Sequence, residues 1–394
     1  MGFSQALSGL RAAATNLEVV GNNIANSQTV GFKGASVQFS DVYAGAQAGL
    51  GTRVAGVLQN FGNGSLESTN RNLDLAISGN GFFRFEQNDQ ILYSRNGQLT
   101  MTADGYLANA QGARLTGYPA DTGTGALPQQ IKVPAEALQA RATSAIKASL
   151  NLDTRSAVID RDTVPFDAAD SNSYSYANSS TVFDSVGNAQ IVTQYFTKTA
   201  DNKWEVKQAL GGEAAAETGS LAFNSNGTLQ SASGMDAFTF TLGGGADDLS
   251  LSLDVSGSSQ FGGGFELSSQ AQDGFASGSL VGITIDERGQ VLGNYSNEQS
   301  VVLGTIALAN FTNPEGLTSV GDNAWVETQA SGLAQMGVAG IGQFGRVESG
   351  VVEASNVDLT SELVNLIIAQ RNYQANAQTI KTQDEVLQTS INLR

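Results

Sequence analysis

Residues 358–394 read DLTSELVNLIIAQRNYQANAQTIKTQDEVLQTSINLR, and this stretch decides the fold class. Its apolar side chains recur in alternating steps of four and three residues, which keeps one narrow stripe facing a partner helix. Asp358 is the predicted N-cap, and Glu362 lies in the first turn, where the helix dipole favours an anion. The pattern predicts a helix from about 358 to 394, roughly 55 Å long at 1.5 Å per residue. Its stripe comprises Leu359, Leu363, Leu366, Tyr373, Ala377, Ile380, Leu387 and Ile391.

The N-terminal end of the chain repeats this spacing. Asn22, Asn23 and Asn26 lie where this first helix should stop, because their amides can satisfy the backbone groups that a helix end leaves free. Two such helices predict a coiled coil that projects from the rest of the protein with part of each stripe uncovered. An uncovered apolar stripe favours assembly with further copies. The N-terminal stripe comprises Phe3, Leu7, Leu10, Ala14, Leu17 and Ile24.

Charge separates the two ends from the middle. The 394 residues carry a formal net charge of −17, yet residues 1–40 and 355–394 are nearly neutral. The acidic surplus and all five prolines therefore lie between them. A net charge of this sign argues against nucleic acid or an anionic membrane as a main partner. No apolar run is long enough to cross a membrane, and the N-terminus lacks the basic region of a cleavable signal peptide.

The middle of the chain predicts β structure. Five dipeptides typical of hairpin turns punctuate short runs of alternating polar and apolar residues. The stretches 211–220 and 256–279 are predicted loops, and the Gly- and Ser-rich segment 28–70 is predicted to be an adaptable connector in which Gly45, Gly49, Gly51 and Gly56 supply conformational freedom. The hairpin dipeptides are Asn80-Gly81, Asn96-Gly97, Asp104-Gly105, Asn226-Gly227 and Arg288-Gly289.

The sequence points to no catalytic, cofactor or metal site. It contains no His and no Cys, which removes imidazole bases, thiolate chemistry and nearly every zinc, haem or iron–sulfur site. The Gly-rich segment 340–345 matches a dinucleotide-binding pattern, but the helical signal starts only near 358, so a Gly-rich hinge is the better interpretation. Acidic pairs such as Asp160 with Asp162, and Asp247 with Asp248, fit a solvated surface better than a glycosidase site.

These patterns predict a mainly β protein with helical coiled-coil termini and a discontinuous domain order. Residues 1–27 and 358–394 form the predicted coiled-coil domain, and 28–71 with 341–357 form the connector. The family resemblance described next divides the middle of the chain into an inner β domain of 72–145 and 285–340 and an outer β domain, the insertion 146–284.

Two long motifs at the chain ends resemble the signatures of the bacterial flagellar rod and hook axial proteins. The first is ATNLEVVGNNIANSQTVGFK at 14–33, and the second is GVVEASNVDL at 350–359, followed by ELV at 362–364 and AQRNY at 369–373. Val30 departs from the aromatic residue that many hook-type members carry. The residues that carry the N-terminal resemblance most specifically are Gly21, Asn22, Asn23, Ile24, Ala25, Asn26, Gly31, Phe32 and Lys33.

The resemblance implies a structural homopolymer with no cofactor. In this family the terminal helices line the channel of a hollow tube and the β domains form its outer layers. The implied partners are other copies of the chain, a hook cap protein, a distal rod protein, a hook–filament junction protein and the flagellar type III export apparatus. The implied location is extracellular, reached without a cleaved signal peptide. Neither nucleic acid nor membrane insertion is implied.

The middle of the chain distinguishes members of the family. The run at 182–198 is similar to the outer domain of hook-type members, whereas rod proteins are shorter and lack a large second β domain. The sequence therefore favours a flexible hook tube that joins rod to filament and transmits torque. Two alternatives stay open at this point: a distal rod protein with an enlarged outer domain, and, from another class, an extracellular β-rich carbohydrate-active enzyme.

Overall fold

The computed structural model describes residues 3–42, 51–120, 123, 125–243 and 245–392, with only the backbone given for 390–392. These residues form a mostly β protein with one long helix toward each end. Helix α1 spans Phe3–Ala25 and helix α2 spans Leu359–Asn392. The two terminal helices predicted from the periodicity are therefore confirmed, while their pairing as a coiled coil stays a prediction. Gly45 and Gly49 of the predicted connector, and the side chain of Ile391, lie outside the described residues.

Short strands occupy most of the chain between the helices. The first group is β1 (Ala35–Asp41), β2 (Thr52–Gln59), β3 (Leu66–Ser68), β4 (Asp74–Ser78), β5 (Phe82–Gln87), β6 (Gln90–Ser94), β7 (Gly97–Gln98), β8 (Thr100–Met101), β9 (Leu107–Ala108), β10 (Arg114–Pro119) and β11 (Gln129–Gln130). The second group is β12 (Ala145–Asp153), β13 (Tyr176–Phe183), β14 (Ala189–Ala200), β15 (Lys203–Leu210), β16 (Glu213–Ala214), β17 (Gly219–Phe223), β18 (Leu229–Ser233), β19 (Phe238–Phe240), β20 (Leu249–Asp254), β21 (Ser259–Phe261) and β22 (Glu266–Gln272). The third group is β23 (Leu280–Ile285), β24 (Gln290–Tyr295), β25 (Ser300–Ile306), β26 (Leu308–Asn310), β27 (Thr318–Gly321), β28 (Ala324–Val326), β29 (Gln335–Gly337), β30 (Arg346–Ser349) and β31 (Val351–Glu353), with a 3-10 turn at Pro314–Gly316.

The chain divides into two compact units. The first unit comprises 1–135, 282–294 and 300–394, and the second comprises 136–281 and 295–299. The four-part division predicted from the sequence is finer than this and stays a prediction.

A large sheet forms the body of the first unit. Its strand order is β23-β24-β25-β10-β5-β6-β28-β27, with shorter strands attached at its margins. An aromatic cluster packs against it, in which Phe61 and Phe82 meet Trp325 edge-on at 5.4 and 6.0 Å between ring centroids. Three smaller groupings complete the unit: β4 between β30 and β7, the pair β3 and β31, and the hairpin of β1 and β2.

Two sheets share one apolar core in the second unit. One has the order β13-β14-β15-β17-β18 and the other β19-β20-β12-β21, with β22 along the other side of β12. Their inward side chains include Trp204, Phe196 and Phe238, all essentially inaccessible to solvent. The Trp204 indole donates to Gln260 Oε1 at 2.6 Å, so the largest core side chain has its polar atom satisfied.

Three of the five predicted hairpin turns join paired strands. Asp104-Gly105 connects β8 to β9, Asn226-Gly227 connects β17 to β18, and Arg288-Gly289 connects β23 to β24. The prediction is wrong for Asn80-Gly81 and Asn96-Gly97, which each lead from one sheet to another. At Gly97 the reason is close packing, because a Cβ there would lie 2.1 Å from the Leu75 carbonyl oxygen.

Two predicted loops contain strands. The stretch 211–220 contains β16 and the start of β17, and 256–279 contains β21 and β22. Strand β22 reads ELSSQAQ and is exposed along nearly its whole length, so it lacks the apolar alternation that reveals a strand in sequence. Its pairing with β12 rests on the backbone ladder. The predicted connector likewise contains the β1–β2 hairpin.

Helix α1 lies against both α2 and the β1–β2 hairpin. The approach to α2 is close at Gly9, where an added Cβ would come within 2.7 Å of the Asn376 side-chain oxygen. On the hairpin side, the Ser8 hydroxyl accepts a hydrogen bond from the Thr52 amide at 3.2 Å. In the described part of the chain, neither helix is long and apolar enough to cross a membrane.

Candidate assembly site at the two chain ends

The predicted stripe of α1 is only partly covered in the single chain. Phe3 is 53% exposed, and the other five stripe residues are half-buried. The deeply buried positions lie on a different side of the helix, because α1 packs against the hairpin as well as against α2. The seven-residue spacing of Ala6, Ala13 and Val20 is the signal of this face in the sequence, and small side chains there permit close approach. The buried residues are Ala6, Ala12, Ala13, Val20 and Asn23.

The predicted stripe of α2 is more exposed still. Leu359, Leu363, Tyr373 and Leu387 are exposed, whereas Leu366, Ala377 and Ile380 are half-buried. Ala369, which the predicted stripe omits, is the residue of α2 that is fully buried among those described. The face of α2 that meets the rest of the chain is therefore offset from the predicted stripe, and part of the stripe faces solvent.

Three further apolar side chains of α2 enlarge this uncovered surface. Val364, Ile367 and Ile368 are each about half exposed, and they lie beside Leu363 on the helix. A single stripe with steps of four and three cannot include them, which is why the periodicity missed them. We call the four residues Leu363, Val364, Ile367 and Ile368 the α2 patch.

The start of α2 is capped as predicted. Asp358 Oδ1 accepts hydrogen bonds from the amides of Thr360 at 2.8 Å and Ser361 at 3.3 Å, and Oδ2 accepts one from the Ser361 hydroxyl. The Ser361 amide, followed by the Thr360 amide and the Ser361 hydroxyl, lowers the pKa of Asp358 below its ordinary value. A carboxylate stabilised in this way fixes the point where the helix begins.

The three asparagines at the end of α1 have different roles. Asn26 donates its side-chain amide to the Asn22 carbonyl oxygen at 3.0 Å, but that oxygen also accepts the Asn26 backbone amide at 3.1 Å, so the helix end does not leave it free and the predicted capping role is wrong for this contact. Asn23 instead is buried and reaches Ala35 at the start of β1. Its amide donates to the Ala35 carbonyl at 2.8 Å, and its oxygen accepts from the Ala35 amide at 3.0 Å. Asn23 thus fixes the hairpin to the end of the helix.

The N-terminal and C-terminal motifs meet directly after α1. The Gly31 amide donates to the Glu353 carbonyl at 2.7 Å, and Gly31 has a φ of +70° with Asn96 N only 2.7 Å from where a Cβ would stand. Only glycine fits this position without strain. Asn356, in the C-terminal motif, accepts from the Gly34 amide at 2.8 Å and donates to the Asn60 carbonyl at 2.7 Å.

Three buried charges lie at the centre of this contact. Lys33 Nζ is 2.6 Å from Glu353 Oε1, and Arg95 Nη1 is 3.3 Å from Glu353 Oε2. The exposed fractions of the three side chains are 0%, 1% and 3% for Lys33, Glu353 and Arg95. Burial lowers the pKa of Lys33, an effect that the hydrogen bond and charge of Glu353 oppose. We call residues 30–35, 60–65 and 353–356 together with Arg95 the junction.

Sequence reasoning found Lys33 in the family motif but not its partners. Glu353 lies in the C-terminal motif, where nothing marks it as the partner of Lys33, and Arg95 belongs to neither motif. The pairing of Lys33 with Glu353 spans 320 positions, so no local pattern reveals it.

The weaker candidate motifs have structural explanations. Segment 340–345 is a closed turn in which the Gly340 amide donates to the Gly345 carbonyl, and strand β30 follows it rather than a helix. Arg161, between Asp160 and Asp162, binds Glu205 at 2.8 Å and the Ser173 carbonyl at 2.7 Å, so it ties a loop to β15. Among the residues that the structure describes, no group of three or more carboxylates is placed to hold a metal ion.

Family models match four separate regions that together make up most of the chain. Residues 4–33 match the flagella basal body rod protein family, and 76–148 match the D1 domain of the flagellar hook protein FlgE/F/G family. Residues 151–275 match the flagellar basal body protein FlaE D2 domain, and 348–393 match the C-terminal region of the flagellar basal body rod FlgEFG proteins. The matched regions follow one another in chain order and define a flagellar axial protein.

Comparison with individual relatives shows which kind of flagellar axial protein the chain resembles. The chain is 48% identical over 407 residues to the flagellar hook protein FlgE of Salmonella typhimurium, with 100% of both chains covered. It is 32% identical to the flagellar hook protein FlgE of Borreliella burgdorferi, with 98% of both chains covered. The crystal structure of the Helicobacter pylori flagellar hook protein FlgE2 shares the fold, with a TM-score of 0.55 at 16% identity over 73% of this chain and all of that one.

The chain belongs to the flagellar hook protein family. It is a structural subunit of the flagellar hook, part of the external structure of the flagellum. The relatives are structural hook proteins. The distal-rod and carbohydrate-active alternatives are therefore not favoured.

Proposed function

We propose that this chain polymerises through its two terminal helices into a flexible hollow tube that couples rod to filament as a universal joint and transmits torque. In this proposal α1 and α2 pair as a coiled coil that lines the channel. The polymerisation surface consists of the two predicted stripes and the α2 patch. The chain has no catalytic role.

The uncovered apolar surface of α2 carries the proposal. The α2 patch and Leu359, which lies one turn before Leu363, form a group of five exposed apolar side chains on one helix, and the exposed Tyr373 lies further along it. Contiguous exposed apolar surface of this kind marks an interaction site. Copies of the same helix are the occupant that the charges favour, since the ends are nearly neutral while the chain as a whole carries −17. Many such ends can converge on one axis without strong repulsion.

The further partners follow from the place of the tube in the flagellum. A hook cap protein would hold the growing tip, a distal rod protein would receive the base, and a hook–filament junction protein would receive the far end. The type III export apparatus would deliver the unfolded chain without cleaving a signal. The motif residues at 21–33 would act in assembly by anchoring α1 to the body of the subunit.

The experiment is polymerisation of purified full-length protein, followed by sedimentation and by electron microscopy. We expect Leu363→Gln with Ile367→Gln to abolish tubes, because both side chains lose the apolar contact that assembly would bury. Deletion of 359–394 should do the same while the β units remain folded by circular dichroism. Val186→Gln, at a 60% exposed residue of the second unit, is the matched control and should still form tubes. Normal tubes from the double variant would refute the proposal.

A further inference from the structure

The Glu353 carboxylate joins three segments that are far apart in the sequence. It accepts from Lys33 Nζ at 2.6 Å, from the Gly64 amide at 2.9 Å and from Arg95 Nη1 at 3.3 Å. One donor follows α1, one lies in the loop before β3, and one follows β6. Glu353 itself ends β31, which leads into α2. The one buried anion of the junction therefore contacts the segments next to both terminal helices.

Each cation is also held by backbone oxygens. Lys33 donates to the Gly62 carbonyl at 2.7 Å, and Arg95 donates to the carbonyls of Gly79 at 2.9 Å and Ile77 at 3.3 Å. The Arg95 guanidinium also lies 5.4 Å from the centroid of the Phe82 ring. These contacts hold both cations in place but supply no negative charge. Glu353 is the sole carboxylate within ion-pair distance of either cation among the described residues.

Burial makes the three charges depend on one another. A buried charge without a partner is costly, and removing one member of a buried ion pair is strongly destabilising. Lys33 and Arg95 can therefore both be buried only when the Glu353 carboxylate lies between them. Glu353 reaches that place only when β31 is paired with β3, where Glu353 is opposite Leu66.

We propose that Glu353 is the positioning residue that makes docking of the two chain ends on the β strands of the first unit one cooperative step. It thereby fixes where α1 and α2 leave the β body. This inference rests on the proposed function for its consequence, since subunits can pack in register only if both helices start from a fixed place. The coupling itself is a property of the single chain and can be measured apart from assembly.

The geometry predicts an unequal effect of the two single substitutions. Glu353→Gln leaves two buried cations close together with no anion, whereas Lys33→Met leaves an ordinary buried pair of Glu353 and Arg95. In the double variant Lys33→Met with Glu353→Gln one cation remains, held by two carbonyl groups. We therefore expect the double variant to be more stable than Glu353→Gln alone, which is the opposite of additive damage.

Hydrogen exchange of the full-length monomer at pH 7 tests the coupling. We expect Glu353→Gln to speed exchange about a hundredfold in both 31–35 and 350–357, since breaking a buried pair costs that much protection. Lys33→Met should also speed exchange in both segments, by a smaller factor. The double variant should exchange more slowly than Glu353→Gln. Glu287→Gln, which breaks the exposed pair with Arg346, is the control and should change neither segment.

Two results would overturn the inference. One is faster exchange confined to the segment that carries the substitution, and the other is a double variant at least as damaged as Glu353→Gln. If Glu353→Gln fails to fold, the effect of Lys33→Met on 350–357 decides the question alone. Failure of the wild-type chain to form tubes while Glu353→Gln loosens both segments would reject the proposed function and leave the coupling intact. Normal tubes from a loosened Glu353→Gln would reject the role of Glu353 in assembly.

Discussion

The second unit and the junction are both buried, but they are stabilised by different interactions. The second unit buries a continuous apolar core around Trp204 and Phe238, supplied entirely by residues of that unit. The junction buries three charges, supplied by segments near both ends of the sequence and by Arg95 after β6. Apolar burial is additive over many contacts. Buried charges stabilise only when every partner is present.

This difference explains how one chain can combine a second unit that is stable by itself with chain ends whose order depends on other segments. The second unit needs nothing from the rest of the chain to complete its core. Helix α1 ends shortly before the junction and α2 begins shortly after it, and both carry apolar surface that the single chain leaves uncovered. Order at the ends therefore depends on the junction within the chain and, in the proposed tube, on neighbouring copies.

A core truncation is the strongest way to test the independence of the second unit. Phe238→Ala should lower its free energy of unfolding by about 3–5 kcal/mol, because Phe238 is fully buried and leaves a cavity. The chain has two tryptophans, Trp204 in the second unit and Trp325 in the first, so each unit has its own fluorescent reporter. Urea unfolding in a Trp325→Phe background then follows the second unit alone.

The same substitution should leave the first unit unchanged. In a Trp204→Phe background, the Trp325 transition should have the same midpoint with and without Phe238→Ala. Ile191→Ala, at a residue that is 63% exposed, is the control and should move neither transition. A matching loss in the Trp325 transition would contradict the contrast between a self-sufficient unit and a dependent junction.

The sequence predicts the helices and the β character of the middle because these depend on local patterns. The spacing of Leu359, Leu363 and Leu366 repeats within a few residues, and Asp358 caps a helix that begins one residue later. Turn dipeptides succeed where the flanking strands pair with each other, as at Asp104-Gly105. They fail at Asn96-Gly97, where the glycine is required by the distant Leu75 backbone rather than by a turn.

The junction could not be predicted because its partners are not neighbours in the sequence. Lys33 and Glu353 come from opposite ends of the chain, Glu353 is placed by the pairing of β31 with β3, and Arg95 follows β6 of the large sheet. The buried face of α1 could not be predicted for a related reason. The sequence predicts a connector where the covering hairpin forms, so it shows no partner for Ala6 and Ala13.

We expect a smaller loss of stability from a substitution at Asn23, which tests the hydrogen bonds that support the junction. Asn23→Ala removes both hydrogen bonds to Ala35 and leaves partly buried backbone groups unsatisfied, at a cost of about 1–3 kcal/mol. The fluorescence of Trp325 reports the change. Its indole donates a hydrogen bond to the Gln59 side chain, and the Gln59 amide donates one to the Lys33 carbonyl. Asn22→Ala, at an exposed position on the same turn, is the control. An unchanged Trp325 midpoint for Asn23→Ala would show that the junction tolerates the loss of a buried amide.

The smallest expected effect is a pH dependence at the start of α2. The folded-state pKa of Asp358 is lowered, so its contribution to stability is fully present above the ordinary value of 3.8 and is lost as pH falls through the lower folded value. We expect the first turn of α2 to gain hydrogen exchange, relative to Asp358→Asn, as pH falls from about 5 to 3. Asparagine is the matched control because it can accept the same amide hydrogen bonds but does not titrate. The second unit should show no difference between the two proteins over this range. Equal pH responses in the first turn of α2 would mean that the cap does not depend on the charge of Asp358.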